Sequence, residues 1–222
     1  MAIHSNCHLI SVTGGKGGVG KSVFAANMAA ALSLETKSRV LLIDLDSQSC
    51  GDLNVITGLR PIKTVGELSS YAGQINDQTL PALVTKHASG FFYVGAVKNP
   101  AESLTVDSSL FSSVLEKLSV YFNFIVVDLG YHLTDVQHAM IERSSAIMTL
   151  TSPEILAVTQ TNKLIADIMS TAIPGDLIQV VVNRASPSGL SPQGISQTLR
   201  KTVIAAIPQD DATTLASLQS GS

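Results

Sequence analysis

Residues 14–22 read Gly-Gly-Lys-Gly-Gly-Val-Gly-Lys-Ser, a run whose residue types suit the binding of a polyphosphate. It fits the pattern G-x-x-x-x-G-K-[ST], with Gly15, Gly20, Lys21 and Ser22 at the fixed positions. Gly17, Gly18 and Val19 fill the loop, and a second lysine, Lys16, lies inside it. Backbone N–H groups can cradle a dense polyanion only where side chains do not block the approach, so the loop needs glycine. The first turn of the following helix, Ser22 and Val23, adds unpaired N–H groups and the positive end of a dipole. Lys21 then supplies a point charge to the outer phosphates, and the Ser22 hydroxyl is a candidate ligand for Mg²⁺.

Three further clusters close apolar runs. Asp44-Leu45-Asp46 follows Val40-Leu41-Leu42-Ile43, Asp128 follows Ile125-Val126-Val127, and Asn183-Arg184 follows Val180-Val181-Val182. An apolar strand ending in a carboxylate suits a magnesium site, because Mg²⁺ is often held through water by one or two carboxylates. Asp128 is the residue expected to hold the ion through water, with Asp44 nearer the metal and Asp46 placed to orient and polarise an attacking water. Each could equally be an ordinary carboxylate at a strand-to-loop boundary. The Asn183 amide could hydrogen-bond a purine, or could simply serve the turn. Arg184 beside it, and Pro208 and Asp210 after the last apolar run, are candidates for the walls of a base pocket. His132, Asp135 and His138 are spaced three apart, but that spacing drifts around a helix and points to a solvated or partner-facing surface.

The elements that would position these groups are legible from apolar periodicity. Short β-branched runs predict strands at 8–13, 39–44, 90–95, 123–128, 145–150, 177–183 and 202–207. Helical patterns fall at 21–34, 64–71, 77–87, 107–121, 134–143, 153–170, 191–200 and 210–219. Asp107 is read as a helix cap, and Ser152 as a cap before Pro153 at the first helical position. The alternation predicts an α/β fold: a mostly parallel central sheet of about seven strands with helices on both faces. A single domain over 1–222 is expected, since no linker or repeat is visible.

Composition narrows the functional classes. The chain has 222 residues, 45% hydrophobic and 14% charged, with a net charge of −3. That balance argues against nucleic-acid binding by bulk charge, leaving only a local patch at Arg184, Arg200 and Lys201. No run of about 20 apolar residues could span a bilayer, and no apolar signal segment precedes the first strand. Cys7 and Cys50 match no metal or redox spacing, which suits a cytoplasmic setting. No Ser/His/Asp or Cys/His grouping argues for acyl transfer.

Lys16 beside Gly17-Gly18-Val19-Gly20-Lys21-Ser22 is similar to the deviant Walker A loop of the MinD/ParA ATPases, and the likeness covers nearly the whole chain. The resemblance implies a nucleotide-switched P-loop ATPase using ATP and Mg²⁺, closing as an ATP-dependent homodimer in which Lys16 reaches the partner's nucleotide. It implies that Asp46 is needed for slow hydrolysis, that Asp128 ends the Walker B strand and that Asn183 contacts adenine. Within the family the chain most resembles the CpaE/TadZ branch, through Asp44-Leu45-Asp46-Ser47-Gln48, Gly51-Asp52-Leu53, Val65-Gly66-Glu67-Leu68, His87-Ala88-Ser89-Gly90, Val182-Asn183-Arg184 and Ile207-Pro208-Gln209-Asp210. That branch implies a role in assembly or polar placement of Flp-type (tight-adherence) pili, with pilus or secretion proteins as partners. Recruitment to a pole or the inner membrane would then go through those partners. The alternatives are a ParA-like DNA-segregation ATPase, a MinD-like positioning ATPase, or a localisation module that does not hydrolyse its nucleotide. Four features depart from the pattern. The branch usually carries a receiver-like domain ahead of the ATPase, and relatives tend to run on past the position of Ser222. Leu129-Gly130-Tyr131 stands where the family often has proline. Residues 212–222 contain no lysine or arginine, unlike MinD's basic membrane-targeting tail, so direct membrane insertion is not expected.

Overall fold

Two central strands of the sheet are apolar up to a closing aspartate because both faces of the sheet are covered. In the computed structural model, which describes residues 3–71, 73–103 and 106–220, alternate side chains of β2 (Val40–Asp44) and β5 (Phe124–Asp128) enter opposite cores. Leu41, Ile43, Ile125 and Val127 join one cluster, and Val40, Leu42 and Val126 join the other. With a side-chain period of two, a strand buried on both sides has no polar register left.

The remaining strands are β1 (His8–Gly14), β3 (Thr85–Lys86), β4 (Phe92–Val94), β6 (Ala146–Thr151), β7 (Ile178–Ala185) and β8 (Val203–Pro208). They form an eight-stranded sheet in the order β3-β4-β2-β5-β1-β6-β7-β8, parallel except for β3. Chain direction across the sheet changes at β1, between β5 and β6. The loops after β1 and β5 therefore open into the crevice where such sheets take ligands.

Helix α1 (Lys21–Thr36) lies on one face through small side chains, Ala25, Ala26 and Ala29. On the other face α5 (Ser108–Ser119) buries Phe111, Leu115 and Leu118, and α6 (Asp135–Arg143) buries Met140 and Ile141. Further along, α7 (Ile155–Ser170), α8 (Pro192–Leu199) and α9 (Asp211–Ser220) complete the layers. Asp107 caps α5 as expected, its carboxylate accepting from the N–H groups of Ser109 and Leu110, both at 2.9 Å.

The structure corrects several expectations. The helix expected at 77–87 does not form. Pro81 lacks a donor, Asn76 Oδ1 takes the N–H groups of Gln78 and Thr79 at 3.0 Å, and only a 3₁₀ turn, Leu80–Ala82, remains. The chain then enters β3, which pairs antiparallel with β4 around a turn at Gly90 (φ 96°) and raises the strand count to eight. Ser152 and Pro153 precede α7, which begins at Ile155 with Glu154 at its cap position. The short helices α2 (Asp52–Thr57) and α4 (Pro100–Ser103) had no sequence signal, while α3 (Val65–Ser69) occupies the middle of its expected span. The ends of the expected 1–222 unit, residues 1, 2, 221 and 222, lie outside the described residues.

Candidate functional site

The glycine loop joins β1 to α1 and is held open by its own backbone. Gly18 and Gly20 have φ of 78° and 92°, a region that side-chain-bearing residues avoid. A Cβ on Gly15 would collide with the backbone of Gln160 and Thr161 in α7, and one on Gly14 would lie 2.6 Å from the Leu150 carbonyl. At Gly18 nothing lies within 4 Å, so the loop's mouth is clear. Val19 turns its side chain into the core, which leaves only its backbone to the loop.

Lys21, 5% exposed, donates through Nζ to the Lys16 carbonyl at 3.2 Å and sits 5.4 Å from the centre of the Tyr131 ring. Burial lowers its pKa, and the carboxylates of Asp128 and Asp46 pull it back up. The Ser22 hydroxyl lies close enough to favour the ionised form of Asp128, yet Asp128 Oδ2 completes no hydrogen bond. Its Oδ1 accepts from the Gly130 N–H at 3.2 Å.

Asp44 stands opposite Asp128 in the β2–β5 register. Its Oδ1 accepts from the Asp46 N–H at 3.0 Å, and its Oδ2 is also without a partner. Burial pushes both acids up, Asp44 well above the ordinary range with the Asp128 carboxylate adding to it, and Asp128 to about 6 with the Asp46 carboxylate adding to it. Asp46 Oδ1 accepts from Gln48 and Ser49 N–H groups at 2.9 and 3.1 Å. Its carboxylate packs against Gly130, where an added Cβ would lie 2.6 Å from Asp46 Cγ. Gly130, at φ 69°, thereby lets the loop after β5 close on the loop after β2.

Two orphaned carboxylate oxygens beside a hydroxyl, below a buried ammonium, form a donor set that a small hard cation satisfies. Among the described residues no group of three His, Cys, Asp or Glu side chains can hold a metal by itself, and His132, Asp135 and His138 make none. Mg²⁺ needs few protein ligands, because it keeps water and takes the rest of its shell from phosphates. The chain's residues fit Mg²⁺ and a polyphosphate on these grounds.

Asn183, Arg184, Pro208 and Asp210 line one pocket of 390 Å³ beside the start of α1, together with Gly20, Val23, Phe24 and Asn27. Asn183 Nδ2 donates to the Val19 carbonyl at 2.9 Å and packs on Gly20, so the amide is tied to the glycine loop. Asp210 also caps α9, accepting from the Thr213 N–H at 3.0 Å. Phe24 and Asn27 escaped the sequence reading. Their signal was helical spacing from Gly20 and Val23, which puts them on the same side of α1.

Lys16 is placed apart from Lys21. Its Nζ lies 3.0 Å from Glu154 Oε2 at the start of α7, and both side chains are exposed. Glu154 and Tyr131 were missed because their partners lie far away in sequence.

Residues 10–220 match the family described as the CobQ/CobB/MinD/ParA nucleotide binding domain. The septum site-determining protein MinD of Thermotoga maritima is 24% identical over 216 residues, 95% of this chain and 78% of that protein. Among solved structures, a ParA family ATPase from Chlorobium tepidum superposes with a TM-score of 0.89 at 23% identity, covering 98% of this chain and 90% of that one. MinD of Pyrococcus horikoshii, solved with Mg-ADP, superposes with a TM-score of 0.78 at 22% identity, covering 96% and 86%. At such identities the superpositions establish the fold alone.

Proposed function

The chain belongs to the CobQ/CobB/MinD/ParA nucleotide-binding domain family, and from that premise we propose that it is an ATP-binding, slowly hydrolysing switch ATPase. Its working form is a nucleotide-dependent homodimer, and 1–222 acts as one ATPase domain. The observation that carries this reading is the pair of partnerless oxygens, Asp44 Oδ2 and Asp128 Oδ2, beside Ser22 and beneath the clear mouth of the glycine loop.

The roles follow from placement. Lys21, desolvated and aimed from the first turn of α1, neutralises the outer phosphates; the loop amides from Gly15 to Val23 cradle them. Ser22 and Asp128, with Asp44 behind them, hold Mg²⁺, which when bound screens phosphate charge. Asp46, already an acceptor anchored by two N–H groups, orients the attacking water and receives its proton. Asn183, Arg184, Pro208 and Asp210 enclose the base. Lys16 belongs to a deviant Walker A loop: in the dimer it leaves Glu154 and completes the partner's site. ATP favours the dimer only through contacts of this kind, absent from the monomer.

The finer reading is a CpaE/TadZ-like role in the assembly or polar placement of Flp-type pili. It rests on sequence markers, with Asp44-Leu45-Asp46-Ser47-Gln48 and Ile207-Pro208-Gln209-Asp210 at the rim of this site. No helix among the described residues is long and apolar enough to cross a membrane, which supports a cytoplasmic protein recruited by partners. The test is size measurement with Mg–ATP and Mg–ADP on wild type, Asp46→Ala and Lys16→Ala. ATP should double the mass of the first two and leave the third monomeric but nucleotide-bound. An unchanged mass for Asp46→Ala with bound ATP would refute the dimer switch.

A further inference from the structure

At the foot of the sheet, away from the strand ends that carry the glycine loop, three cations surround one aromatic floor. We infer that this basin is a second, separate binding site, taking a phosphate-type dianion. The Arg39 guanidinium lies 5.6 Å from the centre of the Phe92 ring and 5.5 Å from that of Phe122. Lys86 Nζ lies 5.8 Å from the same Phe92 ring. The negative ring faces attract both cations, which draws two exposed like charges over one floor. Lys37 closes a third side from the left-handed cap of α1, at φ 56°.

The basin has a volume of 540 Å³ and no carboxylate in its lining. The ion pairs among the described residues are Lys16–Glu154 and Lys98–Glu67, so none of the three cations is matched by an acid. Asp77 shares a neighbouring cleft with Arg39 but makes no ion pair with it. A cation at the end of α1 is accounted for by the helix dipole, which explains Lys37 alone. Arg39 arrives from the position just before β2 and Lys86 from the β3–β4 hairpin, whose Gly90 turn sets both on the lining of one basin.

The chemistry selects the ligand. A planar guanidinium and two ammonium groups offer several donors to one acceptor-rich centre, and a phosphate oxygen triad with two negative charges satisfies them together. A carboxylate, with one charge and two oxygens, would leave two of the three positive charges unmatched, where a dianion leaves one. A phosphate-type group could be carried by a soluble molecule or by a lipid headgroup, and the surface position admits either.

The test uses the full chain carrying Lys21→Ala, so that the glycine loop does not compete for the probe. Inorganic pyrophosphate is titrated by calorimetry, and in parallel the protein is floated with vesicles containing phosphatidic acid or phosphatidylcholine alone. The comparison protein adds Lys37→Asn, which tolerates the left-handed backbone, and Lys86→Gln. One-to-one pyrophosphate binding weakened by about tenfold or more in that protein supports a soluble ligand. Flotation with phosphatidic acid only, lost in the same variant, supports a lipid headgroup. Binding of neither probe, or binding that the two substitutions leave unchanged, overturns the site.

Discussion

Lys16 Nζ and Glu154 Oε2, 138 positions apart in the chain, meet at 3.0 Å between the glycine loop and the start of α7. The lysine proposed to serve a partner is thus engaged within its own chain. An exposed pair of this kind is a weak restraint, which suits a side chain that must change partners. Glu154→Gln should leave the melting temperature nearly unchanged and tighten the ATP-dependent dimer by about two- to five-fold. Sedimentation of wild type and variant at matched Mg–ATP measures this. A dimer weakened by the substitution would show that Glu154 serves the interface itself.

The Tyr131 ring covers Lys21 at 5.4 Å and is the side chain nearest Gly17. An incoming terminal phosphate has to replace that cation–ring contact, a contribution of roughly 0.5–1 kcal/mol at an accessible position. Tyr131→Ala should therefore bind Mg–ATP about two- to five-fold more tightly. The chain has no tryptophan and four tyrosines, so intrinsic tyrosine emission reports directly. Mg–ATP should change it in wild type and not in Tyr131→Ala; an identical change in both proteins would place the ring outside the nucleotide's path.

Much of this site was readable because phosphate geometry dictates spacing. Gly15, Gly20, Lys21 and Ser22 cannot drift without losing the cradle, and Asp44 and Asp128 stand where apolar runs stop. Partnerships set by tertiary folding were not readable. Nothing local marks Glu154 as the partner of Lys16, or Tyr131 as the cover of Lys21. The same holds for the fold: long runs such as 124–128 declare a doubly buried strand, whereas Thr85–Lys86 is a strand only because Phe92–Tyr93 lies beside it. The missing helix at 77–87 shows a local pattern overruled by Pro81 and by the Asn76 turn.

Asp44 and Asp128 make stability depend on pH. With Asp128 at about 6 in the folded chain and near 3.8 unfolded, the folded state holds the proton more tightly. Stability therefore falls as pH rises from about 4 to 6 through Asp128, and Asp44, raised in the same direction, adds to the fall. In metal-free buffer the chain should melt at a higher temperature at pH 5.5 than at pH 8. Asp44→Asn, which removes one of the two facing acids, should raise stability at pH 8 and flatten the dependence. Thermal melts across that range, in chelator, decide it; an Asp44→Asn chain less stable at pH 8 would mean that the pair is compensated by groups within the fold.

As the base contact proposed above, Asn183 should set a preference for the base. Its Nδ2 already donates one hydrogen to the Val19 carbonyl at 2.9 Å, which fixes the amide's orientation and leaves Oδ1 as a free acceptor with one remaining N–H. Adenine offers a donor at its amino group next to an acceptor ring nitrogen, and so pairs with both. Guanine offers two acceptors on that edge and would set its carbonyl oxygen against Oδ1. The chain should bind ATP at least about tenfold more tightly than GTP, since a mismatched polar pair costs on the order of 1–3 kcal/mol. Asn183→Ala should remove that discrimination, weakening ATP towards GTP while leaving the affinity for inorganic triphosphate unchanged, because Lys21 and the loop amides are untouched. Competition binding with the three ligands measures each ratio. A variant that loses triphosphate as well as ATP would show Asn183 acting through Val19 on the loop rather than on the base.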